Sequence, residues 1–261
     1  MATQIPAKLL ERIWFYTNFN CNLRCTYCVA NSAPVTERPL LAWRTFRTLI
    51  DQAVALGFGQ AVLTGGEPFL HHDIMAMIDY ATARLDTVVL TNAIPLTPAA
   101  LRYLQGVDRN RLELQVSLDS ATPEVHDRTR GAGSWQKTMR GLRLLLDQGF
   151  RVSVRATLAG QNNGDLAALT EFLASLGIPE ERVYSMPVVR LGRATAGLDL
   201  SAEDLAPEPT VAADGLYWHP LLIDPALAVA KEIVPLAPGV EALAGKVTCG
   251  GAPARQASAE A

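Results

Sequence analysis

Residues 60–91, QAVLTGGEPFLHHDIMAMIDYATARLDTVVLT, carry one complete strand–helix–strand unit, and their reading sets the fold class. The opening QAVLT and the closing TVVLT are short apolar runs rich in β-branched residues, the pattern of strands covered on both faces. Between them Asp73 stands where an N-cap belongs, and Ile74, Met77 and Ile78 follow at helical spacing. A helical crossover between two strands makes them parallel, and its right-handed sense packs the helix back on the sheet.

The same alternation extends outward on both sides. Residues 12–17 (RIWFYT) read as a strand, and Trp43, Phe46, Ile50, Ala53 and Val54 form one face of a helix stopped by Gly57. After residue 91, Thr97-Pro98 opens a helix that Gly106 follows, and residues 112–118 (LELQVSL) give a further strand. Ser134 is expected to cap a helix carrying Met139, Leu142, Leu145 and Leu146 that ends at Gly149. Residues 151–157 (RVSVRAT), a helix with Leu166, Leu169, Phe172, Leu173 and Leu176 before Gly177, and a strand near 182–188 complete six units. Six units fit a doubly wound sheet or an incomplete barrel, since a closed (β/α) barrel takes eight. Beyond about residue 190 the pattern breaks. Seven of the sixteen prolines lie past residue 200, in Ala-rich and weakly periodic sequence. The division expected is a core over 1–195 and an appendage over 196–261, with a frayed end over the last eight residues.

Composition excludes several classes. The chain has 261 residues, and 49% of them are apolar, enough for a sizeable core. Its net charge is −3 and no Lys/Arg run interleaves with aromatics, so nucleic acid is not an expected partner. Neither a signal-like N-terminus nor an apolar run of membrane-spanning length is present, and the expected location is the cytoplasm. Four cysteines in this length do not make a disulfide scaffold.

Three of those cysteines fall within eight residues, Cys21-Asn-Leu-Arg-Cys25-Thr-Tyr-Cys28, directly after the first strand. Thiolates at this spacing can wrap a loop around one face of an iron–sulfur cube. Such a cube normally takes four protein thiolates, so three leave one iron open. An open position marks a reactive rather than a structural metal site. Two other readings stand beside it: buried packing cysteines, and zinc with Cys249, His71 or His72 as the fourth ligand. The second strand ends in Gly65-Gly66-Glu67-Pro68. That run is good turn chemistry, and a glycine pair at a strand end also lets the backbone approach a ligand.

Together the CxxxCxxC loop, with Tyr27 before its last cysteine, and the GGEP run resemble the radical S-adenosylmethionine (SAM) superfamily. Further matches reach residue 190: Thr91-Asn92-Ala93 in place of a TNG run, Ser117-Leu118-Asp119-Ser120, and His126-Asp127-Arg128-Thr129-Arg130-Gly131 with Gly133-Ser134-Trp135. Arg155 and Leu191-Gly192-Arg193-Ala194 fit the SPASM-type peptide- and sulfatase-maturase subgroup. Asp119, Asp127, Arg128 and Arg130 have plain readings as turn caps or loop charges, and His126 as a packing residue.

The resemblance implies a partial (β/α)6 barrel with parallel strands and the site at their C-terminal ends. It also implies one 4Fe-4S cluster on Cys21, Cys25 and Cys28, and SAM held by Gly65, Gly66, Glu67, Asn92, Ser117 and Arg130. The implied chemistry is reductive cleavage of SAM to a 5′-deoxyadenosyl radical, which takes hydrogen from a peptide or small metabolite. An electron donor such as flavodoxin or ferredoxin would serve it. Cys249 stands in a run similar to the opening of a SPASM domain, with twelve residues after it. A non-catalytic cluster- or zinc-binding module is the alternative.

Overall fold

A computed structural model describes residues 5–159 and 165–248; Cys249 and the last eight residues lie outside the described residues. Six parallel strands stand in chain order: β1 (Arg12–Asn18), β2 (Gln60–Gly65), β3 (Asp86–Thr91), β4 (Leu112–Ser117), β5 (Val152–Leu158) and β6 (Val183–Pro187). Their sheet does not close on itself, because β6 remains an edge. The fold is a partial barrel. Alternation along each strand divides the two faces. Ile13 and Phe15 of β1 pack outward into the helix-covered core with Leu63, Val89, Leu114 and Val154, while Trp14 and Tyr16 turn inward onto a cavity.

The helices follow the expected register with local differences. In α1 (Trp43–Leu56) the buried residues are Phe46, Leu49, Ile50 and Ala53. Val54, expected on that face, is 43% exposed, and Leu49 takes its place because the core faces one position round the helix. Gly57 ends α1 at φ +92, returning its N–H to Ala53 and Val54 carbonyls. The helices α2 (Ile74–Thr82) and α3 (Pro98–Leu104) follow, and Thr97 caps α3 by accepting from the Ala100 N–H at 3.1 Å.

Two helices rather than one follow β4. The HDxxRG run itself, through Arg130, lies in α4 (Pro123–Arg130), and α5 (Ser134–Asp147) starts after three intervening residues. Ser134 is not the cap of α5. The Asp127 carboxylate caps it from α4, accepting from Gly133 N–H at 2.6 Å, Trp135 N–H at 2.8 Å and the Ser134 hydroxyl at 3.0 Å. A charged acceptor at a helix N-terminus outbids a hydroxyl for those amides. The helix α6 (Leu166–Ser175) buries Leu169 and Leu173 beside β5 and β6.

The segment after 196, expected as an appendage, lays strand β7 (Thr210–Ala212) parallel to β1, with Trp14 opposite Thr210. Strand β8 (Gly215–Tyr217) folds back antiparallel on β7. Leu236, Val240, Leu243 and Ala244 of α7 (Leu236–Thr248) join the same core as α1. Arg38 braces this hairpin with a two-pronged ion pair to Asp214 at 2.9 and 3.0 Å. Among the described residues, no helix is long and apolar enough to cross a membrane.

Candidate active site

A cavity of about 370 Å³ opens at the C-terminal ends of the parallel strands. Volumes of this size suit small-molecule ligands. All nine residues singled out in the sequence line it: Cys21, Cys25, Cys28, Gly65, Gly66, Glu67, Asn92, Ser117 and Arg130. Of the other ligand candidates, neither His71 nor His72 lines it, and Cys249 lies outside the described residues; His71 is engaged elsewhere. Its Nε2 pairs with Leu41 O at 3.1 Å and its Nδ1 accepts from the Asp73 N–H at 3.0 Å, which uses both ring nitrogens.

The cysteine loop leaves β1 and is pinned at each cysteine. Cys21 N–H donates to Ala33 O at 2.8 Å, Thr26 N–H to Thr129 O at 2.9 Å, and Cys28 N–H to Cys25 O at 3.3 Å. None of the three is in a disulfide. Burial pushes the Cys21 thiol up to about 12 and also raises Cys25, which the Arg130 charge partly offsets. Thiols this desolvated give up their protons readily only to a metal, whose positive charge replaces the proton.

The glycine pair is wedged against the start of that loop. A Cβ on Gly65 would lie 2.4 Å from Asn18 O, and one on Gly66 would lie 2.2 Å from Asn20 O. Gly66 N–H donates to Asn18 O at 3.0 Å and Glu67 N–H to Asn20 O at 2.8 Å. Sequence reasoning assigned the pair to a ligand's approach. In the structure the first thing it admits is the backbone of residues 18–20, which brings β2 and the cysteine loop into register.

Glu67 then ties β2 to β3. Its carboxylate accepts from the Thr91 hydroxyl at 2.7 Å, Asn92 N–H at 2.8 Å and Phe69 N–H at 3.2 Å. Burial pushes its carboxyl up to about 7 despite these donors. Asn92, held by that contact, points its Nδ2 at Asn22 Oδ1 (2.9 Å) and Cys21 Sγ (3.9 Å). Ala93 follows at φ +59, the left-handed conformation that explains why glycine suits a TNG run.

At the end of β4, Ser117 pairs in register with Arg155 of β5. Beyond it Asp119 is buried and gathers several donors, the Thr129 hydroxyl at 3.3 Å among them. Arg130 reaches both its oxygens at 2.8 and 2.9 Å, Thr157 N–H donates at 3.0 Å, and the Tyr27 hydroxyl donates from the cysteine loop. Burial alone would raise this carboxyl, but Arg130 holds it below the usual range. Asp119 N–H donates to His126 Nδ1 at 3.2 Å, and burial with the Arg130 charge lowers that imidazole to about 4. His126 is therefore a neutral packing residue.

The family model of the radical SAM superfamily matches residues 16–173. The chain belongs to the radical SAM superfamily. It is 29% identical over 186 residues to "AdoMet-dependent heme synthase" of Methanosarcina barkeri, covering 70% of this chain and 52% of that one. It is 29% identical over 187 residues to "Mycofactocin maturase MftC" of Mycobacterium tuberculosis, covering 71% and 46%. The chain thus spans about half the length of these relatives. The crystal structure of Streptococcus suis SuiB bound to precursor peptide SuiA shares the fold, with a TM-score of 0.63 at 18% identity over 75% of this chain and 43% of that one.

Part of the cavity wall lies past the radical SAM match. Met186 to Val189 span the end of β6 and the two residues after it, and Glu208 and His219 come from the segment that adds β7 and β8. Trp14 Nε1–H donates to Glu208 Oε2, and Leu221 N–H donates to His219 Nδ1 at 3.1 Å. Burial lowers His219 to about 4. Arg155 faces them with a buried Nε that has no hydrogen-bond partner among the described residues. Sequence reasoning passed over Glu208 and His219 because they stand in proline-rich stretches with no periodicity or motif to mark them.

Proposed function

We propose that this radical SAM superfamily member is an enzyme whose Cys21, Cys25 and Cys28 hold one 4Fe-4S cluster beside a SAM site. The observation that carries this is the convergence of three unbridged thiols, the Gly65–Glu67 backbone and the ends of β3 and β4 on one cavity. The donor set fits the group: three thiols on one loop, with no fourth cysteine in the cavity wall among the described residues. When bound, such a cluster supplies one electron and an open iron position, the chemistry by which the family cleaves SAM to a 5′-deoxyadenosyl radical.

The chain's own residues bind, orient and keep the site dry. Gly65 and Gly66 let the backbone of the methionine-binding end lie against residues 18–20, where a side chain would not fit. Glu67 acts as a positioning residue, fixing Asn92 through its amide. Asn92 and Ser117 present polar atoms at successive strand ends, and Arg130, anchored by Asp119, sets a guanidinium beside Cys25. The apolar part of the wall, with Trp14, Leu90 and Val189, excludes water from a reactive radical.

The substrate proposed is a peptide or a small metabolite. MftC is named a maturase and SuiB is described with a precursor peptide, which supports the peptide side. The electron donor proposed is a flavodoxin or ferredoxin. The test is anaerobic incubation of the reconstituted protein with SAM and dithionite, with 5′-deoxyadenosine quantified. The wild type is expected to form it and Cys25→Ala to form none. Cleavage retained in Cys25→Ala contradicts the assignment.

A further inference from the structure

The chain after β6 forms a closed bracket. Arg190 N–H donates to Leu198 O at 2.8 Å, and Leu198 N–H donates to Val188 O at 2.8 Å. Gly197, at φ +132, presses so closely that a Cβ would lie 2.4 Å from Val188 O. The tip of the bracket, Leu191-Gly192-Arg193-Ala194, rests on the cysteine loop. A Cβ on Gly192 (φ +58) would lie 2.3 Å from Val29 O and 2.4 Å from Cys28 O. Arg193 N–H donates to Cys28 O at 2.9 Å. Its guanidinium donates through Nη1 to Cys25 O at 2.9 Å and through Nη2 to Ser32 O at 2.7 Å.

One side chain thus spans the loop from its second cysteine to its exit. The loop carries no helix or strand of its own, so its shape rests on such ties. Charge-assisted bonds from a planar fork are the strong kind, and a lysine, whose donors all sit on one nitrogen, lacks the fork that reaches both carbonyls. A fixed cation also favours whichever cluster state carries more negative charge, which is the reduced one.

We propose that Arg193 is a positioning residue for the cluster: it holds the cysteine loop in ligand-ready shape and keeps a positive charge against the backbone that carries the thiolates, raising the reduction potential. This rests on the reading that Cys21, Cys25 and Cys28 hold that cluster. The residue lies beyond the segment matched by the family model.

The experiment compares wild type, Arg193→Met and Arg193→Lys after anaerobic reconstitution. It reads the midpoint potential by redox titration monitored by electron paramagnetic resonance, and the rate of iron loss to a ferrous chelator. Arg193→Met is expected to show a more negative potential and iron loss several-fold faster. Arg193→Lys is expected to keep the potential near wild type while still losing iron faster. An unchanged potential in Arg193→Met overturns the proposal whatever its iron-loss rate. Should Arg193→Met fail to fold, Gly192→Ala lifts the bracket with the arginine intact. Faster iron loss then supports the clamp, and an unchanged rate overturns it. A wild type that takes up no iron defeats the cluster reading itself, and is distinguishable from either result.

Discussion

The Tyr27 hydroxyl, one residue before the last cysteine of the loop, donates a hydrogen bond to Oδ2 of Asp119, just past the end of β4. Through that carboxylate the cysteine loop is joined to Arg130 on α4 and to the Thr157 amide on β5. Three segments far apart in sequence therefore meet at one buried charge.

Asp119→Asn should be strongly destabilising. It leaves the Arg130 guanidinium, 8% exposed, without its carboxylate. Removing one partner of a buried pair costs about 3–5 kcal/mol. Urea unfolding of the two proteins side by side measures it, and a loss under about 1 kcal/mol contradicts the assignment.

Glu67 gives the protein a distinctive pH response. The native state takes up its proton near pH 7, whereas the unfolded chain does so near 4.5. Between those values the native state binds more protons, so stability falls as pH rises through the window and levels off above it. The contribution is on the order of a few kcal/mol. The difference in unfolding free energy between wild type and Glu67→Gln should slope across this range. Parallel curves would show that the carboxyl is not shifted.

His126 should stay unprotonated far into acid. Its folded value near 4 lies below the unfolded 6.5, so its share of stability is present above pH 6.5 and is lost as pH falls toward 4. An NMR titration of the imidazole is expected to show no protonation at pH 6. A midpoint between 6 and 7 would contradict its place as a buried neutral imidazole.

The turn after β3 separates two kinds of glycine. Ala93→Gly relieves a left-handed alanine, worth about 1–2 kcal/mol, but removes a buried methyl and adds chain entropy of similar total size. A change within about 1 kcal/mol is expected. Gly141→Ala drives a methyl to 2.0 Å from Ala93 O, a backbone atom that cannot step aside. A loss of about 1–3 kcal/mol or more is expected from such overpacking. Thermal unfolding of both variants checks the contrast, and a tolerated Gly141→Ala contradicts this packing.

The alternation of apolar runs with helical faces made the six parallel strands legible, because each βα unit is a local pattern that the crossover rule turns into topology. The residues of the candidate site were legible where they stand in contiguous motifs, as at Cys21–Cys28 and Gly65–Glu67, which line one cavity. What escaped was long-range. Asp127 capping α5 in place of Ser134, Asp119 joining Tyr27 to Arg130, and Arg193 bridging Cys25 to Ser32 all depend on residues that meet only in three dimensions. The strand β7 escaped for another reason: three residues in a proline-rich stretch are too few for a period to show.

The central claim is that the thiols of residues 21, 25 and 28 carry a cube with one iron free to bind SAM. Electron paramagnetic resonance of the dithionite-reduced, anaerobically reconstituted protein tests it most directly, recorded before and after SAM is added. A 4Fe-4S signal whose shape and g values change on addition is the predicted result. Protein without such a signal, or a signal that SAM leaves untouched, contradicts the account.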